Sequence, residues 1–222
     1  MEEPRVKQCR AAAMLFDLDG TLGDTLPLIY RAFNDALDPV LKRTMEEAEI
    51  RSLFGPPDTW IIRDLVGPAE ADSANAAYLA SYDRNHDDLV PPFAGIQELL
   101  GDCAASGARI AVVTGKSRQT AILTLERLHL MPYVEVLYGG DDVERQKPDP
   151  LALQLVLAEF GIAAEAAVMI GDSAADILAG KAIGCQTIGV LWGSPDHSEL
   201  LAAAPDIVVS SVSELRSVLL PT

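Results

Sequence analysis

An apolar run that ends abruptly in two acids constrains this chain more than any other stretch. Leu15 and Phe16 resemble the end of a buried strand, and Asp17 and Asp19 follow them. Because alternate side chains of an extended chain point to the same side, both carboxylates can face one place. Gly20 allows the chain to turn directly afterwards. An ordinary turn explains Asp-Gly equally well, so only the remainder of the chain can distinguish a turn from a site.

A repeated pattern from Phe93 onward predicts the fold class. In each cycle a helical stretch is followed by glycine, a short run rich in β-branched residues, and polar residues. The clearest of these runs are residues 110–113, 134–138, 168–170, 187–190 and 207–209. Strands that alternate with helices in this way predict a parallel sheet with right-handed crossovers and helices on both faces. We therefore expect an α/β fold with a doubly wound parallel sheet.

One long segment interrupts this alternation after the first strand. Residues 24–90, called the insertion below, contain no convincing strand. Leu26, Ile29, Phe33 and Leu37 fall on one face at helical spacing, and stretches rich in proline and glycine divide the segment into four predicted helices. We expect a core domain of residues 1–23 and 91–222, with the insertion as a small helical cap domain above the carboxyl edge of the sheet.

Charge and hydropathy exclude several classes of partner. The formal net charge is −16, which argues against nucleic acid because phosphate backbones are bound through clustered Lys and Arg. No stretch approaches the length of apolar sequence that spans a bilayer, so we expect no membrane partner. The first residues lack the basic flank and apolar segment of a secretory signal. The sequence therefore predicts a cytoplasmic protein, either a monomer or a homodimer.

Polar motifs directly follow several of the predicted strands. Thr114-Gly115-Lys116 follows one strand, and Gly171-Asp172-Ser173 follows a later one, with Asp176 a turn further on. Between them lies the pair Lys147-Pro148. In open α/β sheets, ligands bind beyond the carboxyl ends of the strands, so these side chains are expected to converge. Several unpaired acids at one edge are costly without a cation, and oxygen ligands suit Mg²⁺.

These residues resemble the four sequence motifs of the haloacid dehalogenase superfamily. The motifs are Asp17-Leu18-Asp19-Gly20-Thr21-Leu22, the strand that ends in Thr114-Gly115, the pair Lys147-Pro148, and Gly171-Asp172-Ser173-Ala174-Ala175-Asp176. All four stand in the family's order over nearly the whole chain, and the insertion lies where that family places its mobile cap. The resemblance implies a Rossmann-like core and the chemistry of that family.

The resemblance also implies a role for each motif residue. Asp17 would attack phosphorus and form an aspartyl-phosphate, while Asp19 would move protons to and from the reacting oxygens. Thr114 and Lys147 would hold the phosphoryl oxygens. The implied Mg²⁺ ligands are Asp17, Asp172 and the backbone carbonyl of Asp19. Asp176 is expected to support these ligands from behind, or to be an acid favoured by the dipole of a helix N-terminus.

The branch of the family follows from the second acid of the first motif. Dehalogenases of this superfamily attack carbon and do not need Asp19, so its presence favours phosphorus chemistry. We predict a Mg²⁺-dependent phosphatase that acts on a small phosphorylated metabolite, similar to phosphoglycolate phosphatases. A sugar phosphomutase and a pyrophosphatase remain alternatives, and a non-enzymatic phospho-receiver module is a further one. Gly115, Lys116 and Arg63 are the predicted substrate-binding residues.

Overall fold

The computed structural model describes residues 11–193 and 196–220, and within them six parallel strands form one sheet. The strands are β1 (Ala13–Phe16), β2 (Arg109–Val113), β3 (Val136–Tyr138), β4 (Ala167–Gly171), β5 (Gln186–Val190) and β6 (Ile207–Val209). Their order across the sheet is β3-β2-β1-β4-β5-β6. The order reverses on either side of β1, which is the arrangement of a doubly wound sheet. The predicted α/β fold class is therefore confirmed.

The described part of the chain contains ten α-helices. Four lie in the insertion, namely α1 (Leu26–Leu41), α2 (Glu47–Arg51), α3 (Asp58–Val66) and α4 (Pro68–Leu89). The others are α5 (Ile96–Ala105), α6 (Arg118–Arg127), α7 (Leu151–Phe160), α8 (Ala174–Ile183), α9 (Ser198–Ala202) and α10 (Val212–Leu219). None of the helices in these residues combines the length and apolar character needed to cross a bilayer.

The central strand shows why this sequence folds into layers. All four residues of β1 are buried, yet they belong to two different clusters of apolar side chains. Met14 and Phe16 pack into the cluster on one face of the sheet, whereas Ala13 and Leu15 pack into the other. A strand covered on both faces must be apolar at every position, because its side chains alternate between the faces. The run that precedes Asp17 is thus the centre of the core.

The insertion has its own aromatic packing. Phe33 of α1 and Tyr78 of α4 have ring centroids 5.0 Å apart, and Tyr78 lies 5.8 Å from Tyr82 on the same helix. Helix α2 is short, with only five residues. Just before it, the Asn34 side chain accepts a hydrogen bond from the Met45 amide and donates one to the Met45 carbonyl. These backbone groups are therefore committed before the helix begins.

Candidate active site

The turn after β1 is built by backbone hydrogen bonds. The amides of Leu22 and Gly23 both donate to the carbonyl of Leu18, at 2.9 and 3.2 Å. Gly20 adopts φ +77°, a left-handed conformation that glycine tolerates best. A Cβ atom at Gly20 would lie 2.2 Å from Oδ2 of Asp172, so the absence of a side chain also permits close approach. The turn therefore brings the first motif directly against the fourth.

The fourth motif fixes Asp176 at the start of α8. Ser173 caps this helix, and its amide and hydroxyl donate to Oδ2 of Asp176 at 3.1 and 2.6 Å. A Cβ at Gly171 would lie 2.3 Å from the same oxygen, so glycine is required beside the buried carboxylate. Asp172 lies between Gly171 and Ser173, directly after β4. The capping arrangement thus orients one acid rigidly while it places the next at the sheet edge.

Lys147 joins the ends of β1 and β2 to the start of α8. Its Nζ donates to Oδ1 of Asp17 at 2.8 Å, to Oδ1 of Asp176 at 2.5 Å, and to the carbonyl of Val113 at 2.7 Å. All three ammonium donors are therefore used. Burial lowers the pKa of Lys147, but Asp17 and Asp176 raise it more, so the pKa lies above its ordinary value. Lys147 is consequently a fixed positive charge beneath the acids.

Three carboxylates form a cluster around this lysine. One oxygen each of Asp17, Asp172 and Asp176 lies within 4.8 Å of the others. Burial raises the pKa of Asp17 to about 7, and Asp176 adds to this while Lys147 opposes it. Burial and the charge of Asp17 also raise the pKa of Asp172 well above its ordinary value. Three acids against one lysine leave negative charge that a hard divalent cation would offset.

Asp19 lies beside this cluster, and its side chain points to other partners. Its Oδ1 accepts from the Thr25 hydroxyl at 2.5 Å and lies 3.3 Å from Nζ of Lys116. The third carboxylate of the cluster is therefore that of Asp176. The resemblance assigned the backbone carbonyl of Asp19, and not its side chain, to the metal. The two acids of the first motif thus have different surroundings. Asp17 is fixed by Lys147, and Asp19 by Thr25 and Lys116.

The second motif is buried at the end of β2. Thr114 donates its amide to the carbonyl of Tyr138 at 3.0 Å, and its hydroxyl accepts from the Lys116 amide at 3.3 Å. The Lys116 ammonium lies 4.7 Å from the centroid of the Tyr82 ring. Burial lowers the pKa of Lys116, but Asp19, Tyr82 and Asp58 of α3 together raise it more, so the pKa lies above its ordinary value.

Arg63 stands apart from these residues. It is exposed on α3, and among the described residues no hydrogen bond or ion pair joins its side chain to the motif residues.

A second arginine of the insertion, Arg51, donates to the hydroxyl of Tyr30 at 3.1 Å. Tyr30 lines a cleft of about 400 Å³ whose other lining residues are Asp24, Leu26, Pro27, Glu47, Trp192 and Gly193. A larger groove of about 520 Å³, between α7 and α8, contains none of the motif residues.

Four residues close to the motifs were not predicted from the sequence to have a role: Trp192, Gly193, Asp58 and Tyr82. Trp192 donates from Nε1 to the Thr21 carbonyl at 3.1 Å, and a Cβ at Gly193 would lie 2.7 Å from Oδ2 of Asp172. The stretch after β5 therefore packs directly on the first and fourth motifs. The position of this stretch directly after a strand is the sequence pattern that could have identified Trp192 and Gly193 as part of the site. No comparable signal marks the two residues of the insertion.

A family model described as haloacid dehalogenase-like hydrolase matches residues 14–190. The chain belongs to this family. Among curated proteins, it is 34% identical to the pyrophosphatase PpaX of Bacillus pumilus over 92% of this chain and 94% of that protein. It is 31% identical to the PpaX of Bacillus velezensis over 93% of this chain and 95% of that protein. It is therefore an enzyme, a phosphatase of the haloacid dehalogenase superfamily, and the resemblance inferred from the four motifs is confirmed.

Solved structures share the fold. A Haemophilus somnus protein described as a predicted phosphoglycolate phosphatase superimposes with a TM-score of 0.82 at 22% identity, over 93% of this chain and 96% of that chain. CbbY of Rhodobacter sphaeroides, solved in complex with phosphate, gives a TM-score of 0.80 at 24% identity, over 92% of this chain and 96% of that chain. At these identities the likeness concerns architecture alone.

Proposed function

We propose that this enzyme hydrolyses a small phosphorylated substrate with Mg²⁺ through a phosphorylated Asp17. The observation that carries the proposal is the surroundings of that carboxylate. Asp17 is buried at the end of β1, held by Lys147, and clustered with Asp172 and Asp176. A carboxylate in this position is oriented, shielded from bulk water and close to further acids. These are the properties expected of a nucleophile beside a metal ion.

The donor set fits a hard cation. Both oxygens of Asp176 are already engaged, one by Lys147 and the other by Ser173. Asp17 and Asp172 would therefore supply the carboxylate ligands, with the backbone carbonyl of Asp19 as a third oxygen. Asp176 would act from behind by holding Lys147. Bound Mg²⁺ would offset the charge of the carboxylates and of the phosphoryl group.

The remaining residues divide the chemistry between two steps. In the first step, a carboxylate oxygen of Asp17 forms a bond to phosphorus while the bond between phosphorus and the leaving-group oxygen breaks. Asp19 donates a proton to the leaving-group oxygen. In the second step, Asp19 takes a proton from water as the water oxygen bonds to phosphorus and the Asp17–phosphorus bond breaks. Thr114 and Lys147 hold the phosphoryl oxygens throughout, and Lys147 gives up one of its three protein contacts to do so. Phosphate leaves and Asp17 is regenerated.

The insertion lies close to the second motif, and this favours a compact substrate. The carbonyl oxygen of Gly55 would be 3.6 Å from a Cβ at Gly115, and Pro57 would be 2.9 Å from a Cβ at Gly140. The loop before α3 therefore lies close to the turn that contains Thr114 and Lys116. We propose that the insertion acts as a cap over a small substrate. A Cβ at Gly115 would be in ordinary contact with Gly55, whereas a Cβ at Gly140 would overlap Gly115 and Pro57.

Pyrophosphate is our first candidate substrate, because the curated relatives at 31–34% identity are called pyrophosphatases and cover nearly the whole chain. A monoester of the phosphoglycolate type, favoured by the sequence analysis, is the second candidate. A phosphate-release screen with Mg²⁺ separates them. The screen contains pyrophosphate, phosphoglycolate, sugar phosphates and nucleotides, and a parallel isomerisation assay detects a phosphomutase.

The covalent step has its own test. Rapid acid quench of enzyme with a labelled substrate is expected to yield protein-bound phosphate that hydroxylamine releases, as an acyl phosphate requires. Asp17→Asn is expected to abolish both the label and turnover. Turnover by purified Asp17→Asn would contradict the covalent route. Turnover by the wild type with no protein-bound label under rapid quench would contradict it as well.

A further inference from the structure

The ammonium group of Lys116 lies where the core, the insertion and Asp19 meet. The side chain of Lys116 is only 2% exposed, although it belongs to a turn at the edge of the sheet. Its Nζ is 3.3 Å from Oδ1 of Asp19 and 4.7 Å from the centre of the Tyr82 ring. A buried lysine is costly unless neighbouring groups compensate its charge. Here the compensation comes from Asp19 on one side and from the insertion on the other.

The insertion side of this environment is itself fixed. The Tyr82 hydroxyl hydrogen-bonds to the Thr124 hydroxyl of α6 at 2.8 Å. Oδ2 of Asp58 accepts from the Thr120 hydroxyl, also on α6, at 2.8 Å. Both insertion residues are therefore tied to the helix that begins just after Lys116. The lysine consequently lies in a rigid, largely buried polar environment, and its long side chain has little freedom to follow a substrate.

Asp19 is less restrained than its lysine partner. Its side chain is 23% exposed, and its other hydrogen bond is to the Thr25 hydroxyl. Loss of Lys116 would leave the carboxylate with Thr25 and free to turn toward solvent. Proton transfer depends on distance and alignment, so such freedom reduces its efficiency.

We infer that Lys116 is a positioning residue that holds the Asp19 carboxylate in the orientation needed for proton transfer, and that α4 of the insertion supports it through Tyr82. The inference rests on the proposed function, because it assigns Lys116 to the proton-transfer residue of that reaction. It gives Lys116 a different role from the substrate contact predicted from sequence. The step it affects most directly is the attack of water on phosphorylated Asp17.

The test compares Lys116→Met, Lys116→Arg and the exposed control Lys42→Met. Assays use pyrophosphate or, if the screen favours it, phosphoglycolate. Lys116→Met is expected to lower kcat about 10- to 100-fold, part of the roughly 10²- to 10⁴-fold that general acid–base catalysis contributes. Its KM is expected to stay the same or to fall together with kcat, and not to rise, because slower hydrolysis of the phosphoenzyme lowers KM and substrate binding is not the function removed. Lys116→Arg, which keeps the charge, is expected to recover part of the loss.

Steady-state phosphoenzyme, trapped by acid quench, separates positioning from other roles. In Lys116→Met the phosphoenzyme fraction is expected to rise above that of the wild type, because hydrolysis of phosphorylated Asp17 becomes slower. A higher KM with little change in kcat would show substrate binding and overturn the inference. Equal loss of kcat and phosphoenzyme, without Arg rescue, would show a merely structural role and also overturn it. Absence of label in the wild type during turnover would instead contradict the proposed function.

Discussion

Replacing the buried Asp17 by Asn is expected to stabilise the metal-free enzyme while it abolishes activity. The pKa of Asp17 is about 7 in the fold, against an ordinary value of 3.8, because burial and Asp176 disfavour its charge. Between about pH 4 and about pH 7, the folded state therefore retains a proton on Asp17 that the unfolded chain has released. Linkage then requires the free energy of unfolding to fall as the pH rises through this range. Asn keeps the shape of the side chain and carries no charge.

The magnitude follows from the shift. About three pKa units at about 1.4 kcal/mol each give roughly 4 kcal/mol as the full cost of ionising Asp17 in the fold. The charge of Asp17 contributes to the raised pKa of Asp172, so ionisation of one acid opposes ionisation of the other. Between about pH 5 and about pH 8 the wild type is expected to lose about 2 to 3 kcal/mol relative to Asp17→Asn. The variant is therefore the more stable protein above neutral pH.

The assay is urea unfolding in EDTA, followed by circular dichroism at several pH values between those limits. The measured quantity is the difference in unfolding free energy between variant and wild type, because titrations elsewhere in the chain cancel in it. Asp64→Asn, the same substitution at an exposed position on α3 outside the site, is the matched control. Saturating Mg²⁺ is expected to stabilise the wild type far more than Asp17→Asn.

A difference between Asp17→Asn and wild type that stays constant from about pH 5 to about pH 8 would refute the reasoning, because ionisation of a buried Asp17 could not then be the source. A variant less stable than the wild type above neutral pH would refute it as well. That result would mean that the Asp17 charge is stabilised more by Lys147 than it is opposed by burial and neighbouring acids.

Three further predictions use other contacts of the site. Gly20→Ala is expected to cost more than about 2 kcal/mol of stability and to weaken Mg²⁺ binding, because its Cβ would meet Asp172 at 2.2 Å. Gly67→Ala, with a similar φ of +79° and open space around it, should cost only about 1 kcal/mol; equal losses in thermal unfolding would contradict the steric argument. Thr120→Val should cost about 1 to 3 kcal/mol in urea unfolding, since it removes a hydrogen bond from the buried Asp58; no loss would show that this bond is unimportant. Exhaustive chelation is expected to stop turnover and added Mg²⁺ to restore it, and full activity in EDTA would exclude the metal site.

Much of the fold could be predicted because the signals were local. The apolar run before Asp17 predicts a strand buried on both faces, and Met14 and Leu15 do pack on opposite faces. The alternation of helices and strands predicts a parallel sheet, which the structure contains. Parallel strands place their carboxyl ends at one edge, so the meeting of Asp17, Lys147 and Asp172 follows from topology.

What the sequence by itself determined is the identity of the chemical groups at this edge; what the tertiary structure decided is how they are paired. Asp17 and Asp19 are two residues apart, yet one contacts Lys147 and the other contacts Lys116. The spacing predicts that both can face one place, but the partners come from residues 97 to 130 positions away along the chain. Long-range pairing depends on how the turn at Gly20 and the insertion pack against the sheet. No local pattern encodes that packing, and for this reason the separate surroundings of the two acids appear only in the folded protein.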